Sequence, residues 1–220
     1  VRLVAKDTDI SFSIQGIPAV KCAGSCNIPD GEVYTAPVRD SINGVITYNT
    51  PSEYNGFTFE NVKLTFENGK IVKAEANDTE RINKVFDTDE GARYVGEFAI
   101  GTNTAAYRMA KKYGIFDKLK ILIAEKTGPH FAFGDTCYSN GEERRVFNLD
   151  GKEIVAKDNE ISILRKTNPK EAYFGCHTDI TLPYDELDTI TGVRADGSRI
   201  EIVRGGRFVL PGTEELNKEL

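Results

Sequence analysis

Tryptophan is absent from this chain of 220 residues, methionine occurs once and histidine only twice. Long apolar runs are missing too. None reaches the roughly 18 residues that a membrane-spanning helix needs, and none resembles a secretory signal. Basic residues are in deficit: 28 Lys and Arg against 34 Asp and Glu leave a net charge of −6. That balance argues against a nucleic-acid surface, because neutralising phosphates needs clustered Lys and Arg. Cysteine is sparse and unpatterned. Cys22, Cys26, Cys137 and Cys176 match no zinc-finger or redox spacing, so they read as reduced, mostly buried thiols of a cytoplasmic protein.

What is present describes an ordinary globular domain, 40% hydrophobic and 28% charged. The length suffices for a sizeable core. The first residue is Val1, and the expectation is one domain, 1–220, of a longer protein.

Hairpin signals dominate. Asn68-Gly69 separates "VKLTFE" from "KIVKAEA", two alternating runs that predict antiparallel strands around a type I′ turn. Asp150-Gly151, Asp196-Gly197 and Gly205-Gly206 repeat the device, and "DISFSIQG" and "GVITYN" also read as strands. "TERINKVF" and "EGARYVGE" predict two short helices, with Thr79 as N-cap and Gly96 as C-cap candidates. "NTAAYRMAKKYG" predicts a third, capped by Asn103 or Thr104 and closed by Gly114 after Lys111 and Lys112. "DKLKILIAEK" fits a helix or a buried strand equally well. The fold class expected is α+β, a mostly antiparallel meandering sheet folded on itself with a few packed helices.

Four positions stand out chemically. His177 and Asp179 lie two apart in a strand-like run, "AYFGCHTDITL", so they would share a face. Such a pair suits a shared metal or a plain structural hydrogen bond. Glu32 follows a Pro-Asp-Gly turn at what should be a strand start. Glu97 enters an apolar segment, which is costly for a carboxylate unless it is paired or metal-bound. The other histidine, His130, follows Gly128-Pro129 and by itself reads as an exposed loop residue.

"PDGEVYTAPVRDSINGVI", "VKLTFENGKIVKAEA", "FDTDEGARYVGEFAIGTN", "AEKTGPHFAFG" and "HTDI" together resemble the thermophilic-type metallo-aminopeptidases, the aminopeptidase S and T family, over about residues 8 to 180. The resemblance implies two divalent ions, with zinc, cobalt or manganese favoured and magnesium as a further candidate. The ligands it implies are Glu32, Glu97, His130, His177 and Asp179. It also implies that Tyr138 hydrogen-bonds the developing oxyanion, and that Glu32 or Glu97 shuttles a proton to the leaving amine. Peptides would be the substrates, and family members are homodimers whose sites open into an enclosed cavity.

The chain departs from the family pattern in three places. An inserted hairpin is expected at about 142–170, Arg39 stands where an acid is frequent, and the family's N-terminal α/β domain is absent from the chain. Those departures leave two further readings: a non-catalytic peptide-binding or structural module, and a hydrolase of another amide.

Overall fold

The structure is a computed structural model that describes residues 1–17, 19–24, 27–48, 50–88, 90–134, 146–147, 153–154 and 177–218; at 90, 146–147, 153–154 and 177 it describes the backbone alone. In chain order the strands are β1 (Arg2–Ala5), β2 (Thr8–Ser11), β3 (Val20–Cys22), β4 (Glu32–Thr35), β5 (Asn43–Tyr48), β6 (Ser52–Tyr54), β7 (Phe57–Phe59), β8 (Val62–Glu67) and β9 (Lys70–Glu75). After helix α1 (Thr79–Phe86) come β10 (Val95–Gly101), helix α2 (Thr104–Tyr113), the single turn α3 (Ile121–Ala124) and β11 (Pro129–Gly134). The chain continues through β12 (Val146–Phe147), β13 (Glu153–Ile154), β14 (His177–Thr181), β15 (Leu187–Val193), β16 (Arg199–Arg204) and β17 (Arg207–Phe208).

Two sheets carry the architecture. The larger has the order β17-β16-β15-β1-β2-β5-β8-β9, and the smaller has the order β14-β11-β10-β4-β3. Every described pairing within them is antiparallel, as the hairpin signals predict. One apolar cluster joins the sheets, with Leu3, Ile10, Ile46, Leu64 and Phe66 from the larger and Phe98, Phe131, Phe133 and Ile180 from the smaller. Rings interlock across that layer: Phe66 stacks on Phe133 at 6.3 Å between centroids, and Phe12, just after β2, meets Phe98 edge-on at 4.8 Å.

Turn chemistry accounts for the hairpins. Asn68 and Gly69 take φ of 48° and 84° between β8 and β9, and Gly205 and Gly206 take 55° and 73° between β16 and β17. Left-handed values at both central residues define the type I′ turn, whose twist matches the strands it joins. β12 and β13 pair within the expected inserted hairpin; the Asp150-Gly151 turn lies outside the described residues.

The helices follow their caps. Asp78, rather than Thr79, caps α1 by accepting from the Arg81 amide at 2.9 Å. Asn103 caps α2, and Gly114 ends it in the left-handed conformation. "ILIAEK" resolves into short helical turns rather than a strand. The helix expected over "EGARYVGE" is corrected: only Glu90–Arg93 is helical (3-10), and Val95–Gly101 is strand. Gly96 is therefore no helix cap. Pairing on both sides, with β4 and β11, outweighs the local helical pattern.

Candidate metal centre

The register of the smaller sheet sorts its side chains. Glu32 pairs with Gly101, Ala99 with His130, and Glu97 with Ala132, while Asp179 also pairs with Ala132 from the other side. Paired residues and their i+2 neighbours share a face. Glu32, Glu97, His130 and Asp179 thus stand together on the face that turns away from the apolar core, with Ala99 and Ala132 between them. Phe98, Phe131 and Ile180 are directly in register with one another on the opposite face.

One irregularity puts Val95 and Glu97 on opposite faces. Val95 pairs with Phe133 but Glu97 with Ala132, so β10 spends two residues where β11 spends one. The bulge at Gly96 shifts the alternation by one. Glu97 keeps the alternation of Ala99 and Gly101, and the bulge returns Val95 to the core side.

All four charged side chains are buried: Glu32 5%, Glu97 4% and Asp179 6% exposed, and His130 fully enclosed. The reading of His130 as an exposed loop residue is corrected, because β11 is a central strand. His130 Nε2 lies 3.3 Å from Glu32 Oε2 and 3.7 Å from Glu97 Oε1. Its Nδ1 donates to the Gly128 carbonyl at 3.2 Å, which leaves a lone pair on Nε2 in the neutral ring. Glu32 Oε2 and His130 Nε2 are both buried and make no well-aligned hydrogen bond, so their 3.3 Å contact is electrostatic alone.

Two trios offer ligand atoms within 4.8 Å of one another: Glu32, Glu97 and His130, and Glu125, His130 and Asp179. Ligands of one zinc ion, each about 2.0–2.2 Å from it, lie roughly 3–4 Å apart, so a modest contraction closes either trio around an ion. Oxygen and imidazole donors without sulfur suit zinc, manganese or cobalt. The chain's own donor set fits a divalent metal.

The electrostatics agree with a cation-seeking site. Burial opposes charge on His130, yet Glu32 and Glu97 outweigh it and hold the ring's pKa well above its ordinary value. Burial likewise works to raise the Glu32 carboxyl, but His130 and Lys126 overcome it and hold it below the usual range. The field that favours a proton on Nε2 favours a metal ion in the same place.

Glu125 and Lys126 belong to the cluster and sequence reasoning missed them. Lys126, 1% exposed, donates to Glu32 Oε1 at 2.5 Å and pairs with Glu125 Oε1 at 2.6 Å and Asp30 Oδ1 at 3.9 Å. The available signal was a Glu-Lys pair ending the apolar run "ILIA" just ahead of His130. Cys22 forms a third group with Asp30 and Glu32. Burial, reinforced by Glu32 and Asp30, pushes its thiol up to about 12, so Cys22 is a neutral thiol. A cleft of about 770 Å³ borders Glu32, lined among others by Lys21, Cys22, Asp30, Thr102 and Leu216. Arg39 pairs with Asp40 at 3.0 Å and lies over the Tyr94 ring. The His177 backbone opens β14 opposite Gly134; its side chain, and all of Tyr138, lie outside the described residues.

The profile of the family described as thermophilic metalloprotease (M29) matches residues 13–208. The chain belongs to the thermophilic metalloprotease family. Among curated members, aminopeptidase AmpS of Bacillus subtilis (strain 168) is 32% identical over 183 residues, 83% of this chain and 40% of that protein. Aminopeptidase T of Thermus aquaticus is 32% identical over 187 residues, 84% and 40% respectively. The chain therefore spans about 40% of the length of the curated relatives it matches.

Wild-type AmpT from Thermus thermophilus shares the fold at a TM-score of 0.69 and 25% identity, over 95% of this chain and 49% of that one. A 2,5-dihydroxypyridine dioxygenase from Pseudomonas putida KT2440 shares it at 0.61 and 16% identity, over 97% and 55%. At that identity the second likeness speaks for the fold alone. Among the described residues no helix is long and apolar enough to cross a membrane.

Proposed function

We propose that this chain is the metal-binding catalytic domain of a metallo-aminopeptidase, which removes the N-terminal residue of a peptide by hydrolysis. The ligands in this reading are Glu32, Glu97, His130, His177 and Asp179. The observation that carries it is a pair of buried, unsatisfied donor atoms, Glu32 Oε2 and His130 Nε2, facing each other in a metalloprotease-family chain. A buried polar atom without a partner is costly, and a cation between the two removes that cost.

The reading takes two ions. Asp30, Glu32, Glu97, Glu125 and Asp179 bring five carboxylates to the cluster, with Lys126 against three of them, and an acidic donor set of that size suits divalent cations. Bound there, such a pair supplies Lewis acidity and lowers the pKa of a water.

The chain's own groups do the rest. The Gly128 carbonyl holds the His130 tautomer, and in this reading Glu32 or Glu97 accepts a proton and passes it to the leaving amine. Tyr138 donates a hydrogen bond to the oxyanion of the tetrahedral intermediate.

The test is metal content of the intact protein together with hydrolysis of aminoacyl and N-blocked substrates before and after chelation. Stoichiometric metal, cleavage that needs a free amino group, and loss of cleavage on chelation are expected. A metal-free protein, or one that cleaves blocked substrates equally well, overturns the reading. Tyr138→Phe should lower turnover and leave metal content unchanged.

A further inference from the structure

Lys126 is the most deeply buried lysine among the described residues, and the proposed chemistry does not use it. A buried ammonium survives only where carboxylates surround it, and here Glu32, Glu125 and Asp30 do so. Its place is built into the backbone. Gly101 is the register partner of Glu32, and a Cβ there would lie 2.6 Å from the Glu125 carbonyl oxygen and 2.6 Å from the Lys126 carbonyl carbon. Only a residue without a side chain lets the 125–127 turn close over this end of β10. The Asn103 amide then donates to the Lys126 carbonyl at 3.0 Å, and the Gly101 amide to the Gly128 carbonyl at 2.9 Å. That packing aims the lysine side chain at Glu32.

The consequence is a division of labour within one carboxylate. Oε1 of Glu32 is held by Nζ at 2.5 Å, while Oε2 is left without a hydrogen bond, 3.3 Å from His130 Nε2. A free glutamate would rotate about its last torsion and exchange the two oxygens; this one is clamped. Asp30 in turn accepts from the amides of Gly24 at 2.6 Å and Gly31 at 2.9 Å, so the far side of the clamp is fixed as well.

We infer that Lys126 is a positioning residue of the metal centre: it clamps Oε1 of Glu32 so that Oε2 alone is presented to the ion beside His130. The inference rests on the proposed metal-binding role of Glu32 and His130. It has a distinctive sign. Removing an ammonium near a cation site relieves repulsion and by itself tightens cation binding. A purely structural lysine leaves binding by the folded protein unchanged. Loss of a positioning partner weakens it, by about 10–100-fold for groups that orient metal ligands.

The experiment is Zn²⁺ binding by the intact protein in competition with a chelator, for wild type, Lys126→Met and Lys126→Arg, well below each melting temperature. Lys126→Met is expected to bind Zn²⁺ about 10–100-fold more weakly than wild type. Lys126→Arg keeps the charge with a different fork of donors and is expected to fall between the two. Unchanged or tighter binding by folded Lys126→Met overturns the inference. If Lys126→Met does not fold, Lys126→Arg decides, and wild-type affinity there overturns it. A wild-type protein that takes up no Zn²⁺ overturns the metal-centre reading with it, whereas wild-type uptake matched by both variants removes the role of Lys126 alone.

Discussion

The two faces of the smaller sheet share strands β10, β11 and β14 and differ in almost every physical respect. On one, Phe98, Phe131 and Ile180 lie in a single register row, joined by Phe133, and pack into the layer shared with the larger sheet. On the other, Glu32, Glu97, His130 and Asp179 are as deeply buried, yet they carry charge and two unsatisfied atoms. The apolar face gains free energy by closing against another surface. The charged face is sealed at a cost, which in the proposed function a bound cation offsets. Burial alone does not separate core from site; the satisfaction of the buried atoms does.

That contrast can be broken from either side. The largest effect is expected on the charged face, where His130→Ala should lower aminopeptidase activity ~10³-fold or more, about 4 kcal/mol of barrier. The metal-free variant should also melt lower than metal-free wild type, because the ring that offsets charge on Glu32 and Glu97 is gone. An unchanged melting temperature would show that the ring offsets none of that charge.

On the apolar face Phe133→Ala should destabilise the protein by about 3–5 kcal/mol, measured by urea unfolding, while the folded fraction keeps its metal affinity. If that fraction lost its metal, the two faces would be coupled rather than separable.

A smaller effect is expected from pH on the metal-free protein. His130 is raised above 6.5, so its contribution is fully present below about 6.5 and is lost as pH rises through the folded value. Glu32 is lowered below 4.5, so its contribution is present above about 4.5 and is lost as pH falls through the folded value. Metal-free stability from this pair should peak between those limits, and added Zn²⁺ should move the optimum upward, because metal replaces the proton. An optimum that ignores metal would detach the pair from any ion site.

The smallest effect serves as a control on neither face. Asp78→Ala removes the cap of α1 and should cost about 1 kcal/mol with metal affinity unchanged.

Much of the fold was legible because its turns are chemically explicit. Asn68-Gly69 and Gly205-Gly206 name their turn type, and the alternation in "VKLTFE" names the buried side of β8. Asn103 and Gly114 bracket α2 for equally local reasons. The Val95–Gly101 strand was misread because its backbone partners lie about 35 and 65 residues away, and short-range pattern holds no record of them. His130 was misread for the same reason: a Gly-Pro pair describes how the strand begins, not that two others flank it. Glu125 and Lys126 went unnoticed because a Glu-Lys pair is usually a solvated one, and only the crossing at Gly101 buries it.

The sequence by itself determined the antiparallel meander and which residue types were at hand for a metal, since turn dihedrals and strand alternation are properties of a few neighbouring residues. Only the tertiary structure decided that Glu97 faces Glu32 and His130 rather than the core, because pairing with β11 and β4 puts it in step with Ala99 and Gly101 while a bulge at Gly96 returns Val95 to the core side. It alone also decided that Lys126 lies against Glu32, because the approach of two distant backbone segments is a matter of packing, and packing is summed over the whole chain.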